Sequence, residues 1–224
     1  MKTRAQIKKR AKKAVAKQRG TAIGLSLLYI VAASTSGTID YIFLLIFGRI
    51  AYWIIFFVGL LILFVMLVNI YGEHIKIYRG KKADASAIFS GLGINFFRKL
   101  GSWFWVLLWT TLWSFLLVVP GIVKSLAYTW VQYIIAEFPT VTTRQAMKIS
   151  MKISKGHKGK IFVFGLSWIG WLILSMLTCG ILYIFYVGPY MYTAYAGFYI
   201  ELRRLALKEG KITYEELGIR PPKR

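Results

Sequence analysis

The chain has 224 residues, 57% of them hydrophobic and only 17% charged, with a formal net charge of +22. A water-soluble globule draws about a quarter of its residues from Asp, Glu, Lys and Arg, so too few charges remain here to cover one. The 30 Lys and Arg, against 8 acids, sit just outside apolar runs of bilayer length. Cytoplasmic retention of cations and anionic headgroups account for them there without nucleic acid.

Residues 2–19 hold nine Lys/Arg and no acid. Ile7, Ala11, Ala14 and Val15 recur at helical spacing, which fits a basic amphipathic helix on the membrane surface; a solvated basic tail is the alternative. The apolar run 21–34 is short for a span. With Ala32, Ala33 and Ser34 at its end it also has the layout of a signal peptide, so its retention stays open. Residues 36–50 surround a greasy centre with Gly37, Asp40, Gly48 and Arg49, and read better as an interfacial segment at the outer face than as a full crossing, with membership of the first span left open. Residues 51–71 carry no charge and are long enough for a ~30 Å hydrocarbon core.

Residues 72–99 turn polar and basic, with Asp84 and Ser86 as candidate N-caps ahead of an apolar stripe of Ile88, Phe89, Leu92 and Phe96. Residues 102–119 form a further span dense in tryptophan. Pro120-Gly121 breaks it, and 122–136 either extend it or return across the bilayer. The cations that follow (Arg144, Lys148, Lys152, Lys155, Lys158 and Lys160) would face outward without a return, which the positive-inside rule disfavours. Thr142 and Gln145 stand at capping-box spacing before a basic amphipathic helix. Its Arg144, Lys148, Lys152 and Lys155, followed by His157 and Lys158, are candidate contacts for lipid headgroups, although a solvated loop helix has the same pattern. Residues 161–178 and 181–200 form a last hairpin turned at Thr178-Cys179-Gly180, with a kink at Gly188-Pro189.

The expected fold class is all-α: a polytopic helical membrane protein with six transmembrane helices as three hairpins, and cationic amphipathic cytoplasmic helices. Residues 1–19 are its basic N-terminal helix, 20–202 its membrane domain and 203–224 a cytoplasmic tail. This layout leaves only Arg49 and Lys124 of the 30 Lys/Arg on the outer side, and places both termini in the cytoplasm. A cationic helix, then Gly20, Gly101 or Gly159, then a hairpin recurs three times.

No HExxH, CxxC, GxSxG or Walker loop is present, and the acids are scattered, which argues against an enzyme. His74 and His157 lie in basic cytoplasmic segments and do not make a metal site; no cofactor is implied. Lys124, Tyr128 and Gln132, spaced by four, form a polar stripe on the fourth span. It reads either as interhelical hydrogen bonding with Lys124 snorkelling outward, or as a binding or conduction path. Tyr190 and Tyr192 beside Pro189 would be its opposite wall. Glu137 and Glu201, at inner span ends, are expected to pair with neighbouring cations.

Several motifs together resemble a bacterial membrane family. They are Pro120-Gly121 with Lys124, Ser125 and Tyr128, then Ser150, Gly156-His157-Lys158 and Leu166-Ser167-Trp168-Ile169-Gly170-Trp171. Thr178-Cys179-Gly180, Pro189-Tyr190 and Phe198-Tyr199 complete the set. The family, mostly from Gram-positive bacteria, is that of domain of unknown function nine hundred seventy-five, and the likeness runs from about residue 85 onward. Trp168, where Phe is usual, and Cys179 in the turn depart from its pattern. The resemblance implies a multi-span plasma-membrane protein and supplies no activity. The expected role is non-enzymatic (envelope, transport-accessory or self-protection), with anionic inner-leaflet lipid or a membrane-protein partner, a second copy included, held by the basic helices. A small transporter or channel using the Lys124 stripe is the rival. A lipid-modifying enzyme is weaker still, for want of clustered acids.

Overall fold

The computed structural model describes residues 2–93 and 95–219. Among them every regular element is helical. Helix α1 (Arg4–Lys17) opens on a capping box: the Thr3 hydroxyl accepts from the Gln6 N–H and the Gln6 side chain accepts from the Thr3 N–H. The box satisfies two of the donors that a helix start leaves unpaired. Ile7 and Ala11 are fully buried, so the basic N-terminus is a docked helix and not a tail.

Helix α2 (Arg19–Arg79) would be a rod of about 90 Å at 1.5 Å per residue. It is instead a hairpin, because Gly48 takes φ 80° and ψ −174°, a backbone conformation open to glycine alone. The arms 19–47 and 49–79 lie side by side: a Cβ at Gly59 would sit 2.3 Å from Ser36 Oγ, and Ala22 and Leu25 pack with Ile77. The expected interfacial segment at 36–50 is therefore corrected. The helix runs on through Gly37 and Asp40 to the tip, with Asp40 buried. Thr35 and Thr38 hydroxyls donate back to carbonyls of Val31, Ala32 and Ser34. That local bonding lets a small polar stretch stay helical.

A connection bearing the short helix α3 (Ala87–Ser90) leads to α4 (Phe96–Leu116), α5 (Val118–Tyr128) and α6 (Val131–Glu137). Leu117 is extended between α4 and α5, and α5 folds back on α4 so closely that a Cβ on Gly121 would meet the Ser114 Cα at 2.9 Å. The turn thus falls three residues before the Pro120-Gly121 pair expected to make it. Pro120 occupies the first turn of α5, where its missing N–H costs nothing.

Thr129–Trp130 separates α5 from α6. Helix α7 (Thr143–Ser154), with the Thr142/Gln145 capping box in place, lies against this break and repairs it. The Ser150 hydroxyl is 2.7 Å from the Ala127 carbonyl and 3.3 Å from the Trp130 nitrogen. Ser154 reaches the Leu126 and Ala127 carbonyls. Buried backbone groups cannot stay unpaired, so these two serines are what a broken helix needs from its neighbour.

Helices α8 (Lys158–Leu166) and α9 (Ile169–Leu177) rise to a turn in which Cys179 (φ 49°) and Gly180 (φ 82°) are both left-handed. The chain returns through a π-helical turn, Tyr183–Val187, into α10 (Gly188–Lys208). Pro189 has no N–H to give the preceding turn, and the widened turn stands just upstream of it. Ring contacts set the register: Trp171 with Tyr186, Trp168 with Tyr190 and Phe164 with Phe198. Helix α10 continues to Lys208, and Ile212 and Leu217 beyond it are buried in the core.

The core gathers α1, α6, α7, α10 and the inner parts of α2 and α8 around Trp130, Phe164, Phe198 and Tyr199. Away from it, the three hairpins expose apolar side chains, at most 86% exposed at Phe115 and 80% at Ile50. Two stretches, Arg19–Arg79 and Lys158–Leu177, are long and apolar enough to cross a membrane.

Candidate functional site

The polar stripe is divided between two helices. Tyr128 closes α5 and Gln132 belongs to α6, and the turn between them interrupts the four-residue spacing. The Gln132 amide meets the Ser102 hydroxyl at 2.7 Å, joining α6 to α4. Lys124 lies 4.7 Å over the Trp113 ring. Tyr128 is buried in the core and Pro189 is buried at the start of α10, while Tyr190 packs edge-on against Trp168 at 5.0 Å. Tyr192 stacks on His74 and bonds the Tyr183 hydroxyl at 3.2 Å. No hydrogen bond or ring contact joins Tyr190 or Tyr192 to the stripe among the described residues.

The cations of α7 point outward. Arg144, Lys148, Lys152 and Lys155 are exposed, opposite a buried face of Ala146, Met147, Ile149, Ser150 and Ile153. Lys152 pairs with Glu216 at 2.5 Å, and that bond holds the Glu216 carboxyl below the usual carboxylate range. His157 stands just before α8, after the left-handed Gly156, and makes no side-chain capping bond, with Lys158 half-buried next to it. His74, expected in a basic segment outside the spans, is fully buried where α2 meets α10, its Nδ1 3.0 Å from Thr193 Oγ1.

Charge collects where the open ends of the three hairpins, opposite their tips, meet. The Glu137 carboxylate, 8% exposed, takes bonds from Arg79 of α2 and from Arg203 and the Tyr199 hydroxyl of α10. One acid from the second hairpin thereby ties the first and third. Glu201 pairs with Lys2 at 3.0 Å. Beside Glu137, a cleft of about 620 Å³ opens between the 49–79 arm, the 80–99 connection and α6. Lys76, Arg79, Lys81, Lys82, Arg98 and Lys99 line it against two acids, Glu73 and Glu137.

Lys99 and Arg98 are the residues that sequence reasoning counted only as topology signals. Lys99 is 7% exposed, its ammonium held by the Asn69 side-chain oxygen at 2.7 Å and the Gly91 carbonyl at 2.5 Å. The Arg98 guanidinium donates to carbonyls of Ile135, Phe138 and Val141, at and just beyond the end of α6, where the helix presents its negative pole. The available signal was Asn69, a polar residue near the inner end of an otherwise apolar span.

No curated protein and no solved structure matches the chain. A family model does, over residues 44–206, from the tip of the first hairpin to the last turns of α10. The match begins about forty residues before the segment in which the motifs are legible by eye. The chain belongs to the family described as Protein of unknown function (DUF975).

Proposed function

We propose that this is a six-span plasma-membrane protein with both termini in the cytoplasm, whose basic inner face holds anionic lipid. The observation that carries this reading is segregation: cations and paired acids gather at one end, and exposed apolar side chains cover the hairpins beyond it. Exposed apolar area on this scale needs a non-aqueous neighbour. The arms of α2 are each over 40 Å long, and the second and third hairpins rise about 30 Å by helical rise, enough for a ~30 Å hydrocarbon layer. Lys124 lies seven residues, ~10 Å of helix, below the turn at Leu117, so its ammonium reaches outer headgroups only if that turn is at the outer surface.

The lone cysteine supplies the test. Cys179 is exposed at the tip of the third hairpin, so a membrane-impermeant maleimide should label it in intact cells. In a Cys179→Ser background, Lys152→Cys should react only after permeabilisation. Labelling of Lys152→Cys from the medium would refute the orientation.

The role is non-enzymatic, envelope or transport-accessory in kind, with α7 as the lipid-contacting surface. Its exposed cations would each gain about 1 kcal/mol near an anionic leaflet. Replacing Arg144, Lys148 and Lys155 together by Gln is expected to weaken capture of the detergent-solubilised protein on phosphatidylglycerol vesicles at least tenfold at low salt. Unchanged capture would make α7 a solvated brace.

A further inference from the structure

We propose that the cleft between the 49–79 arm of α2 and α6 is an anion site that takes a phosphate group, with Lys99 as its innermost contact. The site is separate from the α7 surface and does not depend on how that surface meets the membrane.

The argument is one of uncompensated charge. Both acids in the cleft are already engaged. Glu73 accepts from the Lys76 ammonium at 2.6 Å and from the Asp84 N–H at 3.1 Å, and Glu137 is held by Arg79, Arg203 and Tyr199. Among the described residues no carboxylate pairs with Lys81, Lys82, Arg98 or Lys99. Exposed Lys81 and Lys82 lose nothing by that, since water solvates them. Lys99 is different: it is buried, and its two oxygen partners are neutral. An ammonium has three donors, so one remains after Asn69 and Gly91. Burying a cation without a counter-charge is costly, and chains seldom keep such a group unless something compensates it.

The surroundings of Lys99 are built to hold it in place. The Asn69 amide donates to the Ile88 carbonyl at 3.0 Å, which fixes its oxygen toward the ammonium. A Cβ at Gly91 would lie 2.7 Å from the Asn69 side chain, so glycine is required for that approach. Lys76, Lys81 and Lys82 ring the mouth, where they would draw an anion in by long-range attraction. A compact oxyanion with several acceptors fits this donor set. Phosphate does so whether it is free in the cytoplasm or carried on a lipid headgroup of the inner leaflet.

The test uses the full chain in phosphatidylcholine nanodiscs at constant ionic strength. One arm titrates inorganic phosphate by calorimetry; the other incorporates phosphatidic acid into the discs and follows thermal unfolding. Wild type should respond in at least one arm. Response to inorganic phosphate assigns a soluble phosphate ligand, and response only to phosphatidic acid assigns a headgroup. Lys99→Met keeps the bulk and removes the charge, so it should fold at least as stably as wild type while binding about tenfold or more weakly, the loss of one charge-assisted bond. Lys82→Gln should weaken binding less and flatten its salt dependence. The α7 triple substitution should leave phosphate binding unchanged, which separates this site from the vesicle-binding surface. Equal affinity in Lys99→Met, or no phosphate response in either arm, overturns the proposal and leaves Lys99 a strut for the 80–95 connection.

Discussion

Glu137→Ala is expected to lower the stability of the detergent-solubilised protein by about 3–5 kcal/mol, the usual cost of removing one partner from a buried ion pair. The carboxylate is the only acid touching Arg79 and Arg203 among the described residues, and the Tyr199 hydroxyl, 2.7 Å from its other oxygen, belongs to a fully buried side chain. Its loss leaves two guanidinium groups and a phenol without an acceptor at the point where three hairpins converge. Glu201→Ala is the control. Its carboxylate is as buried as that of Glu137, but it holds a single ammonium, and that partner, Lys2, is 37% exposed and can turn to water, so its removal should cost less. Thermal or denaturant unfolding followed by tryptophan fluorescence would compare the two. A Glu137→Ala loss no larger than that of Glu201→Ala would show that the cluster is open to water.

The second large effect is steric. Gly197 of α10 faces the ring of Tyr78 so closely that a Cβ would stand 2.2 Å from one ring carbon and 2.4 Å from the next. The ring has little room to retreat. It is buried, and the Arg10 guanidinium of α1 lies over it at 4.8 Å. Gly197→Val should force α2 and α10 apart and cost about 1–3 kcal/mol or more, as overpacking of a filled interior does. Combining it with Tyr78→Ala should recover much of the loss, because residues in contact couple in a double-mutant cycle. Strictly additive losses would mean that the crowding lies elsewhere.

These two sites also mark what could be read from the chain and what could not. The pairing of Glu137 and Glu201 with cations was expected from their places at inner span ends, because a carboxylate there has basic neighbours. Which cations would meet Glu137 depends on three hairpins docking, and no local pattern carries that. The capping boxes at Thr3 and Thr142 were legible because their chemistry is confined to four residues. The return after the tryptophan-rich helix was legible from charge alone, although the turn came at Leu117, with the proline in the first turn of α5. The first hairpin was misread for a physical reason. Asp40 and Gly37 resemble a break when taken singly, yet a helix tolerates both, and the chain reverses at Gly48, the glycine of this stretch that takes a positive φ. The stripe Lys124, Tyr128 and Gln132 was legible as interhelical hydrogen bonding, which Gln132 makes with Ser102, but not as two helices. Its spacing assumed an unbroken helix, and the break at Thr129–Trp130 is sustained by Ser150 and Ser154, which lie twenty and more residues downstream.

The docking of α1 bears on how the molecule is made. Its Lys8 ammonium bonds the Ser167 hydroxyl at 2.7 Å and lies 4.2 Å over the Trp168 ring, and Lys2 meets Glu201. Burial against these residues, with Arg4 near, pushes the Lys8 pKa down. A helix that precedes the first hairpin therefore has its seat on the third, and cannot dock until α8 to α10 have been made. Removing α1 should accordingly loosen the third hairpin near Trp168 and Glu201, and a nascent chain halted before α8 would carry an unseated basic helix.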